Sequence, residues 1–210
     1  MRILIWVFLI FYSTNTLSQD KVYSFYNEVG SQITRKEFYE KRENYDYFPL
    51  YFESDSLKFG ALFYREKYGV LNDSIFLSLK NYLNTFQTTK INSKDLIVIN
   101  YLTGIPMDEQ NKKSRSTWNI FDRDYLKKLN KIADISHFWI SSLDKEKLKY
   151  FYSNIVNWKK DEDDFIKRTF FPHETTYGYY IIINSEGNYY YSLGEYGKNN
   201  VWKKTKEMQN

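Results

Sequence analysis

Asp95-Leu96-Ile97-Val98-Ile99-Asn100-Tyr101-Leu102-Thr103 is the stretch that decides the fold. Four consecutive aliphatic residues, three of them β-branched, leave no polar face. Residues 96–99 therefore predict a central strand covered on both sides. A loop follows from Thr103. After it Phe121, Tyr125, Leu126, Leu129 and Ile132 recur at helical spacing, and residues 135–140 predict a second strand. Strand, helix and strand at this separation make a βαβ unit, whose two strands run parallel and whose crossover is expected to be right-handed.

Towards the C-terminus, residues 143–158 predict a further helical region. Asp161-Glu162-Asp163-Asp164 gathers where a helix would start, as acids complementing the dipole on a solvated first turn. Residues 179–183 and 189–193 predict a hairpin closed by Ser185-Glu186-Gly187-Asn188, and a terminal helix is expected from Asn199. Towards the N-terminus, residues 22–26 and the segment near Ile33 flank the turn Asn27-Glu28-Val29-Gly30. Thr34 followed by Glu37 is a capping box opening a short helix. Strands are expected over 47–53 and 57–66, the first either at an edge or starting late because Pro49 lacks a donor. Leu57, Phe59, Ala61 and Phe63 alternate and predict the apolar face of the second. Asp73 or Ser74 should cap a helix whose stripe is Ile75, Phe76, Leu79, Tyr82, Leu83 and Phe86. Asn72-Asp73-Ser74 also fits a glycosylation sequon, which helix capping explains more simply.

The resulting order, β-α-β-α-β-β-α after about 70 residues of α+β, resembles that of thioredoxin-like proteins. The stretch 95–103 is similar to their strand running into the redox loop. Gly178-Tyr179-Tyr180-Ile181-Ile182-Ile183-Asn184-Ser185-Glu186-Gly187 is similar to their hairpin. The resemblance covers residues 95–208, and the first third resembles that of exported thioredoxin-like chains of flavobacteria. It implies an α/β fold with a central mixed sheet and flanking helices, preceded by an α+β N-terminal extension. The domains would then be 19–92 and 93–210. It also implies that Gly104-Ile105-Pro106-Met107 occupies the place of the redox Cys-x-Pro-Cys, with Pro kept and both thiols gone. Gly178 would stand where the family has its cis-proline. A thioether forms no thiolate, and the chain has no Cys, so thiol–disulfide exchange is excluded. What the resemblance leaves is the groove beside those loops, where an extended peptide could dock.

The first eighteen residues have the form of a secretory signal: Arg2, an apolar run over 3–12, then a small polar region ending at Ser18. About ten apolar residues fall short of the roughly 20 that span a bilayer, so a cleaved signal is favoured over a retained N-terminal anchor. The expectation is an exported protein, periplasmic or secreted, with no integral membrane segment once the signal is removed. Lys and Arg number 30 against 26 Asp and Glu and are interspersed. No basic stripe of the kind that grips nucleic acid is present, and that class of partner is set aside.

Few residues invite chemistry. His137 shares a strand face with Ile135 and Trp139 and is expected to be structural. His173 follows Pro172 near the groove and is the better candidate for binding or for general base catalysis. Tyr177 beside Gly178 and Tyr190 in the hairpin are further candidate binding residues, because alternation sends Tyr190 to the face opposite Tyr189 and Tyr191. Two separated His and no Cys give no metal-ligand pattern, and the consecutive acids at 161–164 lack the Gly of a calcium loop. Asp108 and Glu109 are adjacent and diverge on a helix. No phosphate loop, dinucleotide fingerprint or nucleophile elbow occurs, and no cofactor is expected. The expected function is a redox-inactive binding module for a protein or peptide. The alternatives are a hydrolase using His173 with a nearby carboxylate, or a glycan-binding module built on exposed Tyr and Trp rings.

Overall fold

A computed structural model describes residues 23–55, 57–104, 116–175 and 177–209. They form an α/β arrangement of two mixed sheets with helices on several faces. The first sheet contains β1 (Tyr23–Tyr26), β2 (Gln32–Ile33), β3 (Tyr47–Glu53) and β4 (Lys58–Tyr64), in the order β2-β1-β4-β3. The turn between β1 and β2 closes through Asn27, whose Oδ1 accepts from the amides of Val29 and Ser31. Helix α1 (Arg35–Arg42) opens on the expected capping box: Thr34 Oγ1 accepts from the Glu37 amide, and the Glu37 carboxylate accepts from the Thr34 amide at 2.8 Å. Pro49 lies on β3, which is an edge rather than a strand that starts late.

The apolar face of β4 differs from the expected one. Gly60 and Leu62 are its buried residues, packed with Phe25 and Phe38 under α1, while Leu57 is exposed. Phe63 instead points with Phe48 and Leu50 into the core of the second sheet. Both faces of this sheet are covered, so alternation alone could not say which side was the more deeply buried.

At Arg65 the chain passes from one sheet to the other. The second sheet contains β5 (Glu66–Val70), β6 (Leu96–Leu102), β7 (Ile135–Ser141), β8 (Lys159–Lys160), β9 (Tyr179–Ile183) and β10 (Asn188–Leu193). Its order is β5-β10-β9-β6-β7-β8. β6 runs parallel to β7 and antiparallel to β9, with Ile99 opposite Phe138 on one side and Ile181 on the other. All seven residues of β6 are buried, as its unbroken apolar run requires. β5, of which only Glu66 fell within the strand expected over 57–66, is a separate strand paired with Tyr189 and Tyr190 of β10. It precedes residue 93, as does α2 (Asp73–Asn84), yet both belong to the second sheet and its core. A boundary at 92/93 therefore cuts through one packed layer.

The helices divide between the two faces of this sheet. α2 and α4 (Phe165–Phe170) bury Leu79, Leu83, Ile166 and Phe170 against Ile97, Ile99 and Ile181. α3 (Asp124–Ile132) and α5 (Lys198–Met208) bury Tyr125, Leu129, Val201 and Trp202 against Val98, Leu102 and Ile182. Burial of each large aliphatic side chain is worth about 2 kcal/mol. Asn72, one residue before the expected caps, starts α2 by accepting from the Ile75 amide at 2.9 Å, and Ile75 itself is exposed. Residues 143–158 form no α-helix. They contain a short 3₁₀ turn, Lys147–Phe151, ended by Tyr152 in the left-handed region. No helix of the described residues is long and apolar enough to cross a membrane.

Candidate functional site

The loop leaving β6 and the loop entering β9 are tied side by side. The Thr103 hydroxyl donates to the Thr175 carbonyl at 2.7 Å and accepts from the Thr175 amide at 2.9 Å. The Tyr177 amide donates to the Gly104 carbonyl at 3.3 Å. Gly178 follows at φ +79°, and a Cβ there would lie 1.9 Å from the Tyr101 carbonyl oxygen. Only glycine allows both that backbone region and that approach. Tyr177 adopts φ +64° on the other side of the same turn. Ile105, Pro106 and Met107 lie outside the described residues, as do Asp108 and Glu109.

Beside this clasp runs a groove of about 460 Å³. Tyr45, Trp118, Tyr150 and Tyr177 supply its aromatic walls, and Thr117, Glu195 and Asn200 its polar rim. Trp118 is held by an indole N–H bond to the Tyr196 carbonyl and meets the Tyr177 ring at 64°. Ser116 is fixed at the opposite wall, its amide donating to the Tyr150 carbonyl and its carbonyl accepting from the Tyr152 hydroxyl, both at 2.9 Å. The N-terminus of α5 is set by Asn119, whose Oδ1 accepts from the Lys198 amide, while Lys198 Nζ bridges Asp122 and Asp124. The walls are thus built by fixed contacts, leaving Tyr45, Thr117, Glu195 and Asn200 exposed at the mouth.

Of the candidate residues, Tyr177 lines this groove; Gly178, which is buried, and Gly104 adjoin Tyr177 without lining it. His173 does not line it. Its ring is surrounded by Phe52, Phe63 and Phe171 at 5.0–5.4 Å, between the two sheets. Burial, then the neighbouring Lys167, lowers its pKa. Among the described residues it has no hydrogen bond to a carboxylate. Tyr190 is fully buried: it does face opposite Tyr189, but that face is covered by Tyr180, Tyr68 and Lys204, whose ammonium sits 4.4 Å from the ring centre. Tyr190 therefore presents no ring to solvent and, contrary to expectation, is a core residue rather than a binding residue. The sheet's alternation was legible; the helix covering that face was not.

Two polar clusters are structural. Asn100 Oδ1 lies 2.6 Å from His137 Nε2 and accepts from the Tyr125 hydroxyl, while its Nδ2 donates to the Tyr196 hydroxyl at 2.8 Å. With the amide oriented so, His137 donates from Nε2, and burial pushes its pKa down to about 3. Asp161 is not part of a solvated first turn. It is buried and accepts from the hydroxyls of Tyr82 and Tyr101 and the amides of Ile166 and Lys167, at 2.7–3.0 Å. Among the described residues no group of three or more His, Asp or Glu is placed to hold a metal ion. The groove residues Tyr45, Tyr150, Glu195 and Asn200 had no mark in the sequence, since they come from four separate places: the turn before β3, the 3₁₀ turn, the segment after β10 and the first turn of α5. No protein-family model, curated protein or solved structure matches the chain.

Proposed function

We propose that this chain is an exported, redox-inactive thioredoxin-like protein that binds a protein or peptide partner in the groove beside Gly104 and Gly178. The observation that carries the reading is the Thr103–Thr175 clasp with Tyr177 and Trp118 at its side. It ties together the loop after β6 and the loop before β9, which on the resemblance would correspond to those flanking the family's substrate groove. The strand order β7-β6-β9-β10, with one parallel and two antiparallel pairings, supports the fold assignment. So does the division of α3 and α5 to one face and α2 and α4 to the other. An aromatic-walled groove with a polar mouth suits a polypeptide, whose side chains need apolar cover and whose backbone needs partners.

The hydrolytic alternative draws nothing from His173, enclosed by phenylalanine rings. The glycan alternative needs coplanar exposed rings, whereas Trp118 is buried and crosses Tyr177 steeply. The test is affinity capture from periplasmic and culture fractions with the wild-type chain and a Thr117→Trp variant, which places an indole in the groove mouth. A partner retained by the wild type and lost about tenfold from the variant is expected. Equal capture by both would reject the groove.

A further inference from the structure

Away from this groove, the edge of β7 is open over 135–139 among the described residues. β8 pairs only with Ile140 and Ser141, and the chain departs from that line before Lys159. The direction of the free main-chain groups is fixed by hydrogen bonds at both ends of β7. Asp134 O accepts from Leu96 N and Ser142 N donates to Leu102 O, so even-numbered residues face β6. Ser141 O accepts from Asp161 N on the other side, so Ile135, His137 and Trp139 direct their main-chain groups outward. Among the described residues no strand pairs with Ile135 or His137 there, and β8 reaches Trp139 only through the Ile140–Lys159 bridge.

A slot of about 500 Å³ wraps this edge. Phe86 and Phe138 line it on one face of the sheet, and Leu126, Trp139 and Ile155 on the other. That is the arrangement an added strand needs, since its side chains alternate between the two faces. Natural edges are usually blunted by Lys, Pro or a bulge. Ile135-Ser136-His137-Phe138-Trp139 has no charge and no Pro, and its register against β6 is regular. Leu126 and Ile155 are exposed apolar residues beside it. The charges at the slot are Asp122, Arg123 and Lys159. Asp122 is occupied by Lys198, whereas Arg123 and Lys159 have no acidic partner among the described residues.

We propose that the β7 edge is a second docking site, which takes an extended peptide of alternating apolar residues flanked by carboxylates. The peptide adds as a strand beside residues 135–139, over about 16 Å at 3.3 Å per residue. Its main chain pairs with the outward groups of Ile135 and His137 and with the Trp139 amide. Its acidic ends meet Arg123 and Lys159.

The probe is a heptapeptide of alternating Val and Thr with Asp at each end, and the readout is amide hydrogen exchange in the full chain. Strand addition slows exchange at Ile135, His137 and Trp139 by about tenfold or more. Ser136 and Phe138, already turned to β6, should change little. A peptide N-methylated on its pairing edge should give no protection. Reversing the charges with Arg123→Glu and Lys159→Glu should weaken the Asp-flanked peptide about fivefold and favour its Lys-flanked counterpart. Protection at none of the three amides would overturn the proposal. So would protection that rises with protein concentration without peptide, which would report pairing between two copies. Because these amides lie away from Tyr177, failure here leaves the Thr117→Trp result standing, and the reverse holds too.

Discussion

One hydroxyl, that of Thr103, both donates to the carbonyl and accepts from the amide of Thr175, and this pair joins the loop after β6 to the loop before β9, whose Tyr177 lines the groove. Both residues are buried. Thr103→Val keeps the shape and removes the oxygen, leaving the Thr175 amide unpaired and its carbonyl with the Gly178 amide alone. We expect a loss of about 2 kcal/mol in stability by urea unfolding, and faster hydrogen exchange at the Thr175 amide. Thr103→Ser keeps the oxygen and should restore most of it. Unchanged stability in the valine variant would show that the loops are held by other contacts.

Asp161 ties three elements together. Its carboxylate accepts from Tyr82 on α2, Tyr101 on β6 and the amides opening α4. Burial first, with Asp161 beside them, holds both phenols well above their usual pKa, so they remain donors. Asp161→Asn supplies an NH₂ group where donors already point. A loss of about 3 kcal/mol is expected, more than for Tyr101→Phe, which removes one donor only. Equal losses in the two variants would contradict the shared role.

The His137 imidazole should make the fold sensitive to mild acid. Its folded pKa, about 3, lies below its ordinary value of 6.5. Below 6.5 the unfolded chain therefore binds a proton that the folded chain refuses. The full stability is present above that value and falls as pH drops towards 3. From about pH 7.5 down to about pH 5 the loss from this group reaches about 2 kcal/mol at most. His173, also lowered by burial, acts in the same direction. Urea midpoints measured over this range should flatten in a His137→Gln variant relative to wild type; identical slopes would remove His137 from the account.

The sequence carried much of this fold because its strongest signals are local. The unbroken run at 96–99 could only be a strand covered on both faces, and Thr34 with Glu37 could hardly be anything but a helix start. Pro49 announced an edge or a late start for the same reason, one missing donor. Other features depended on distant partners. Residues 67–70 carry no alternation that marks a strand; their pairing with β10 makes them part of β5. Asp161 looked like any acid in an acidic run, because Tyr82 and Tyr101 approach from 79 and 60 residues away. The groove suffered the same limit: Gly178 was legible as a special backbone position, while Tyr45 and Asn200 meet only after both sheets have packed.

The central claim, a polypeptide partner held in the groove beside the tied loops, is tested most directly by photocrosslinking. A benzophenone amino acid replaces Tyr45 at the groove mouth, and in a second protein replaces Leu77, comparably exposed on α2. One polypeptide is expected to crosslink from position 45, to be competed away by unlabelled wild-type chain, and not to crosslink from position 77. Equal labelling at both positions would contradict it, as would turnover of a small substrate that His173→Ala abolishes.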